Sequence, residues 1–294
     1  MSNLTQRLIT GTIFVIVVVG CIWFSAWSMA ALFLLITILG MNEFYSLAKK
    51  ANAQPLHVYG IIAGSLLVLF AFLQKSGLST ALYYLIIPIV FLIFFIELFR
   101  KKENPFSNIG WTILGIIYIA VPMAMLVGTF TPYGFLIPYF DSELQAAPYE
   151  PSGPLMIFIL IWVSDSMAYV CGRLFGKHKL WERISPKKTW EGFIGGLIFT
   201  MFTAGLVANW ILYDKHHWKV EIAWLIIAFV ISVTGMLGDL VESMFKRSID
   251  VKDSGKLLPG HGGILDRFDA LFLAVPFAIT AYRICESILP VRLP

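Results

Sequence analysis

The sequence predicts an all-α fold, a polytopic integral membrane helix bundle with about nine transmembrane helices. Of its 294 residues, 58% are hydrophobic and 14% are charged, whereas a soluble domain carries about 25% charged residues. Apolar runs near the length that crosses a bilayer recur along the whole chain. Because backbone polar groups in lipid must hydrogen-bond to one another, we expect these runs to be helices.

The predicted spans follow one another with short polar connections. They cover residues 8–25, 28–47, 57–74, 80–99, 109–130, 153–173, 190–212, 221–240 and 265–287. The first is predicted to be a retained transmembrane helix, because no small-residue cleavage site follows its apolar run. We expect two parts: residues 1–150, with five spans and an external loop, and residues 151–294, with four spans and the charged loops.

Lys and Arg are distributed unequally between the two sides that nine spans define. Segments on the side of the N-terminus carry 17 of the 22 basic residues, and the opposite side carries the other five. Positively charged loops of membrane proteins remain in the cytoplasm. The pattern therefore predicts a cytoplasmic N-terminus, cytoplasmic charged loops and an external C-terminus.

The carboxylates near the last two spans have the spacing of a metal site. Asp239, Glu242 and Lys246 can share one helical face, and Asp266 and Asp269 can share another. Magnesium prefers one or two carboxylates together with substrate phosphates. The alternative for Asp266 and Asp269 is that they only stabilise a helix N-terminus.

Basic residues and glycines surround these carboxylates and indicate a phosphate-binding site. The candidate cationic contacts are Lys246, Arg247, Lys252 and Arg267, although the cytoplasmic excess of positive charge alone would also explain them. The glycine-rich turn 259–263 precedes a helix, where free N–H groups favour anions, but it is also compatible with an ordinary turn. His261 could be a general base, a phosphate contact or a loop residue. The sequence alone favours the loop residue, and a phosphate contact is favoured over a proton acceptor.

Two further acidic residues lie within predicted spans. Asp165 falls in the sixth span and Glu43 in the second, and ionisable residues at such depth face a partner or a wet cavity. For Glu43, structural pairing with another helix and a role in the chemistry are equally compatible with the sequence. In the loop 184–192, Lys187 and Lys188 are candidates for contact with a phosphate or with the membrane surface.

Taken together, these motifs resemble the phosphatidate cytidylyltransferases, also called CDP-diacylglycerol synthases. The resemblance covers residues 160–270, and the first five spans match only in being hydrophobic. The residues of the signature pattern are Ser243, Lys246, Arg247, Lys252, Asp253, His261, Gly262, Gly263, Asp266, Arg267 and Asp269. Flanking motifs contain Asp165, Asp239, Ser185, Lys187 and Lys188.

The resemblance implies transfer of a cytidylyl group from CTP to phosphatidate, with Mg²⁺ as the cofactor. The participation of a second cation is left open. It implies catalytic roles for Asp239, Asp266, Lys246 and Arg267, with Asp239 and Asp266 as metal ligands. It implies substrate contacts for the remaining residues, which are Asp165, Ser185, Lys187, Lys188, Ser243, Arg247, Lys252, Asp253, His261, Gly262, Gly263 and Asp269. It also implies a homodimer in the bacterial inner membrane, with lipid and no nucleic acid as partner.

Two other functions compete with this interpretation. A transporter of anions would use Asp165 and Glu43, but the charge is concentrated at one face rather than at the midplane, and no inverted repeat is visible. Another enzyme of lipid phosphates is the nearer alternative. The Asp-Gly-x-x-Ala-Arg pattern of the CDP-alcohol phosphotransferases is absent from the chain.

Overall fold

The computed structural model describes residues 3–73, 78–131, 149–211, 218–255, 257 and 262–289. Nine helices dominate these residues, which confirms the predicted all-α class. They are α1 (Asn3–Phe24), α2 (Ala26–Lys50), α3 (His57–Leu73), α4 (Leu78–Arg100), α5 (Pro105–Phe130), α6 (Ser152–Phe175), α7 (Trp190–Ile211), α8 (Trp218–Ser248) and α9 (Leu265–Ile288).

Six helices in the described part of the chain are long and apolar enough to cross a membrane. They are α2, α5, α6, α8, α9 and the segment Trp190–Ala208 of α7. Shorter apolar helical segments are Ile9–Phe24 in α1 and His57–Leu73, which is α3. The protein is therefore an integral membrane protein, as its composition predicts.

A small β-hairpin between α6 and α7 is the departure from the all-helical prediction. Strands β1 (Lys179–Trp181) and β2 (Ser185–Thr189) pair antiparallel, with Lys179 opposite Thr189 and Trp181 opposite Ser185. The sequence predicts only a basic loop here. The strands are short, and Pro186 and two lysines occupy β2, so no alternation of apolar and polar residues marks a strand.

The described helices form two compact units. The first contains residues 1–151 and 249–268, and the second contains residues 152–248 and 269–294. The first turn of α9 therefore belongs to the first unit and the rest of that helix to the second.

Tyr45 lies at the centre of the first unit. Its side chain is fully buried, and its hydroxyl donates to the Thr112 carbonyl oxygen at 2.8 Å. Gly60 of α3 and Gly115 of α5 both lie against its ring. Because a buried hydroxyl needs a partner, this bond fixes α2 relative to α5 within the unit.

Small residues hold α6 against α7 in the second unit. A Cβ at Gly196 would lie 2.8 Å from the Ser164 carbonyl oxygen and 3.0 Å from the Ala168 Cβ. One turn earlier, a Cβ at Gly192 would lie 2.7 Å from the Ala168 carbonyl oxygen. Membrane helices approach closely where small residues recur at this four-residue spacing.

Gly196→Ala is expected to lower the free energy of unfolding by about 2 kcal/mol, because the added methyl group overpacks this interface. The measurement is unfolding of the purified protein in mixed micelles. Gly205→Ala on the same helix is the control, since a Cβ at Gly205 would have no neighbour within 4 Å. The control is expected to be neutral or slightly stabilising, because Ala favours helix over Gly. Equal destabilisation by both variants would contradict the packing argument.

Candidate active site

Three carboxylates converge in the second unit and form what we call the acidic cluster. Asp239 and Glu242 lie one turn apart on α8, and Asp269 lies in the second turn of α9. One oxygen of each side chain lies within 4.8 Å of the others. The shared helical face that the sequence predicts for Asp239 and Glu242 is therefore present, and Asp269 faces it.

Gly238 allows α8 and α9 to approach at the acidic cluster. A Cβ at this position would lie 2.8 Å from the Asp269 carbonyl oxygen and 3.1 Å from the Ala270 Cα. A larger residue would have to displace the backbone of α9. The absence of a side chain at Gly238 thus sets the distance between the carboxylates of Asp239 and Asp269.

Two lysines pair with the acidic cluster. The Lys188 ammonium lies 2.5 Å from an Asp239 carboxylate oxygen, and the Lys246 ammonium lies 2.5 Å from a Glu242 oxygen. The Glu242 side chain is 0% exposed, whereas 36% of the Asp239 side chain is exposed. Like charges at this separation repel one another, so the two cations offset a repulsion that would otherwise oppose folding.

Asp165 and Ser243 extend the same polar region. Asp165 on α6 is exposed and interacts electrostatically with Asp239, Lys188 and Asp269. The Ser243 hydroxyl donates to the other Asp239 oxygen at 3.3 Å. These two residues, which the sequence assigns to substrate binding, therefore adjoin the acidic cluster.

The hairpin fixes the backbone beside Lys188. Thr189 follows Lys188 and accepts a hydrogen bond from the Gly192 N–H at 3.2 Å, so it caps α7. The Glu191 carboxylate accepts bonds from the Lys177 N–H at 3.0 Å and from the His178 ring at 2.5 Å. The first turn of α7 therefore anchors the residues that lead into the hairpin.

Asp266 organises a loop in the first unit. Its carboxylate accepts from the Ser254 N–H at 3.0 Å and from the Gly263 N–H at 2.9 Å. The Ile264 and Leu265 N–H groups donate to Glu43 of α2 at 3.1 and 2.9 Å. The amides before α9 thus donate to protein carboxylates, and the phosphate contact expected at Gly262 and Gly263 stays a prediction.

Comparison with known proteins places this chain in a family. The family model described as the cytidylyltransferase family matches residues 5–285. The chain belongs to the cytidylyltransferase family. The match covers both units, so the acidic cluster and the loop with Asp266 lie within the region that defines a cytidylyltransferase.

Curated relatives of this cytidylyltransferase carry the name phosphatidate cytidylyltransferase. The one from Staphylococcus haemolyticus (strain JCSC1435) is 32% identical over 241 residues, which cover 81% of this chain and 85% of the relative. The one from Staphylococcus saprophyticus is 37% identical over 191 residues, 65% of each chain. The one from Staphylococcus epidermidis (strain ATCC 35984) is 33% identical over 223 residues, 75% of this chain and 78% of the relative.

The remaining residues that the sequence assigns to the cytidylyltransferase site lie in loops and at helix ends. Arg247 at the end of α8 is exposed, as are Lys252, Asp253 and Arg267. In the hairpin, Lys187 is exposed and Ser185 is half-buried. Gly262 has a φ of 83°, a conformation that glycine adopts without strain. His261 lies outside the described residues.

The sequence placed Glu242 on the helical face of Asp239 without giving it a role in the site, and it did not assign Ser254 to the site at all. Glu242 completes the acidic cluster, and its signal was present, because it follows Asp239 by three positions on a helix. Ser254 donates through its hydroxyl to Glu43 at 3.1 Å and through its N–H to Asp266. No local pattern marks Ser254, since its partner Glu43 lies 211 positions away.

The donor atoms of the acidic cluster fit a magnesium ion. Carboxylate oxygens are the hard ligands that Mg²⁺ prefers, and Asp239, Glu242 and Asp269 supply them within 4.8 Å. Of the two predicted metal ligands, Asp239 belongs to this cluster and Asp266 belongs to the loop of the first unit. The Asp266 carboxylate accepts from the N–H groups of Ser254 and Gly263, and its role as a ligand stays a prediction.

Proposed function

We propose that this cytidylyltransferase transfers the cytidylyl group of CTP to phosphatidate, which gives CDP-diacylglycerol and pyrophosphate. The observation that carries the proposal is the acidic cluster with its two lysine partners, built on apolar helices of a membrane-embedded cytidylyltransferase. With a divalent cation held between the carboxylates, such a site suits an anionic nucleotide and a lipid phosphate. The names of the curated relatives support the same reaction.

The reaction needs positioning and charge stabilisation more than proton removal. An oxygen of the phosphatidate phosphate attacks the α-phosphorus of CTP, and the bond from the α-phosphorus to the bridging oxygen breaks. Pyrophosphate leaves with the electron pair of that bond. A phosphate nucleophile is already ionised near neutral pH, so no strong base is required. The rate then depends on in-line placement of the two phosphates and on cations near the leaving group.

Lysines of the second unit are suited to this electrostatic work. Lys188 and Lys246 already lie at the acidic cluster, each paired with one carboxylate. Their ammonium groups offset negative charge on the phosphates as the bond breaks. We assign the same function to Arg267, and assign substrate contact to the exposed Arg247 and Lys252.

We propose Mg²⁺ as the cofactor, held by the acidic cluster together with substrate phosphates. When bound, the ion neutralises charge on the triphosphate and on the departing pyrophosphate. A second cation is compatible with the number of carboxylates present. Asp239 and Asp269 would hold the ion from two different helices, which Gly238 brings together.

We propose that the N-terminus and the active site lie in the cytoplasm and that the protein is a homodimer of the bacterial inner membrane. The distribution of Lys and Arg supports the orientation, and the resemblance to the family supports the dimer. Labelling of single cysteines in intact cells tests the orientation. Light scattering of the protein in detergent tests the dimer.

The function is tested by incubating the purified protein with CTP, phosphatidate and magnesium. CDP-diacylglycerol and pyrophosphate are expected in equal amounts, and omission of magnesium is expected to abolish both. ATP in place of CTP, and another lipid phosphate in place of phosphatidate, are the matched controls. A product only with a different lipid acceptor would reassign the substrate. Uptake of an anion into proteoliposomes without any chemistry would favour the transporter.

A further inference from the structure

We infer that Glu43 is a positioning residue that fixes the loop before α9, and with it Asp266, an inference that rests on the function proposed above. Glu43 lies near the end of α2, and its carboxylate is buried in the first unit. Glu43 is not among the residues that we propose to contact substrate. Its hydrogen-bond partners indicate what it does.

The Glu43 carboxylate uses both of its oxygens on the loop and on the start of α9. Oε1 accepts from the Ile264 N–H at 3.1 Å, and Oε2 accepts from the Leu265 N–H at 2.9 Å. Oε2 also accepts from the Ser254 hydroxyl at 3.1 Å. The first N–H groups of a helix have no partner within the helix. A side chain that is more than 200 positions away in sequence therefore caps α9.

The loop is shaped to admit this carboxylate. A Cβ at Gly263 would collide with Glu43 Oε2 and with the Ser254 hydroxyl, and a Cβ at Gly255 would collide with Glu43 Oε1. Both positions thus need glycine because the carboxylate occupies the space of a side chain. Two close approaches, together with three hydrogen bonds, hold residues 254–255 and 263–265 around the Glu43 carboxylate.

The contacts of Glu43 and Asp266 form one network. Ser254 donates through its hydroxyl to Glu43 and through its N–H to Asp266. Gly263, which packs against Glu43, donates its N–H to Asp266 at 2.9 Å. A change at Glu43 therefore reaches Asp266 through two neighbours that they share. Asp266 is the residue to which we assign chemistry, and Glu43 acts through it.

A carboxylate is needed at position 43 for electrostatic and geometric reasons. A negative charge is stabilising at a helix N-terminus, where the helix dipole is positive. The three groups that hydrogen-bond to Glu43 are all donors. In Glu43→Gln, the NH₂ group would face one of these donors and leave it without an acceptor. The neutral amide would therefore loosen the loop although it has nearly the same size.

The experiment compares Glu43→Gln with Glu97→Gln in the full-length protein. Glu97 is the matched control, because it is also a buried carboxylate of the first unit. Its partners are Arg100 and Asn108, which lie outside the loop. Hydrogen exchange of the Ile264 and Leu265 amides is measured by mass spectrometry. The values of kcat and of KM for CTP, and the melting temperature, are measured for each variant.

In Glu43→Gln, both amides are expected to exchange at least about tenfold faster, which is the change expected from loss of one bond to a charged acceptor. We expect kcat to fall by a similar factor or more, with a melting temperature near that of Glu97→Gln. Glu97→Gln is expected to leave the loop exchange and kcat at the parent values. A merely structural role would lower the melting temperature without this selective change.

Parent-like exchange of Ile264 and Leu265 in Glu43→Gln would overturn the inference, as would equal acceleration in Glu97→Gln. If Glu43→Gln does not fold, Ser254→Ala carries the test, since it removes one donor from the same carboxylate; parent-like loop exchange in that variant would also overturn the inference. The exchange measurement needs no turnover. A parent protein that makes no CDP-diacylglycerol would therefore refute the proposed function, while exchange would still decide whether Glu43 holds the loop.

Discussion

Asp239→Asn is expected to lower kcat for CDP-diacylglycerol formation about a thousandfold and to leave the protein folded. The substitution removes one charge of the acidic cluster and the ionic partner of Lys188. Loss of several kcal/mol of charge stabilisation corresponds to this factor, since each 1.36 kcal/mol changes a rate tenfold. The measurement is kcat of the purified variant at saturating CTP and phosphatidate, across a range of magnesium concentrations.

Glu221→Gln is the control for Asp239→Asn. Glu221 lies in the first turn of the same helix, at the end opposite to Asp239. Its substitution is expected to leave kcat unchanged. Turnover of Asp239→Asn at the parent rate, with parent-like magnesium dependence, would show that the acidic cluster is not the metal site.

Lys246→Met is expected to lower the free energy of unfolding by about 3 kcal/mol, because it leaves a buried carboxylate without its cation. The Glu242 side chain is 0% exposed, and Lys246 lies 2.5 Å from it. Methionine keeps the length of the lysine side chain, so packing is largely retained. The measurement is the unfolding midpoint in mixed micelles without magnesium.

The double variant Glu242→Gln/Lys246→Met isolates the ion pair from the packing of the side chains. Replacing both charges removes the buried charge together with its partner, so the double variant is expected to be more stable than Lys246→Met alone. If the double variant were as unstable as the sum of the two single variants, the two residues would not be coupled. The destabilisation of Lys246→Met would then have another cause.

The helices were predictable because lipid imposes one solution on a long apolar run. Each of the nine predicted spans overlaps one of the nine helices in the described residues. The hairpin was not predictable, because apolar and polar residues do not alternate in either of its strands. The pairing of Lys179 with Thr189 is visible only in the structure. Its position depends on Glu191, which acts as an anchor only once the fold brings it to the Lys177 N–H, 14 positions away.

The part of the site that could be predicted from the sequence is the part whose residues are closely spaced on one helix. Asp239, Glu242 and Lys246 share a helical face at fixed intervals, so their proximity follows from helix geometry. The link between Glu43 and Ser254 spans 211 positions and follows from no periodicity. Sequence alone therefore left the role of Glu43 open, and tertiary contacts were needed to connect it to the loop.

The hairpin beside Lys188 also changes the entropy of substrate binding. Lys188 lies in the paired strand β2, two residues before the capped helix α7, so its backbone conformation is fixed before any substrate arrives. Ordering one residue of a flexible loop costs about 1–2 kcal/mol. Several residues of a disordered loop would subtract that cost from the binding free energy. A preorganised hairpin places the ammonium group of Lys188 without this loss, which would favour tight binding of the nucleotide that we propose as substrate.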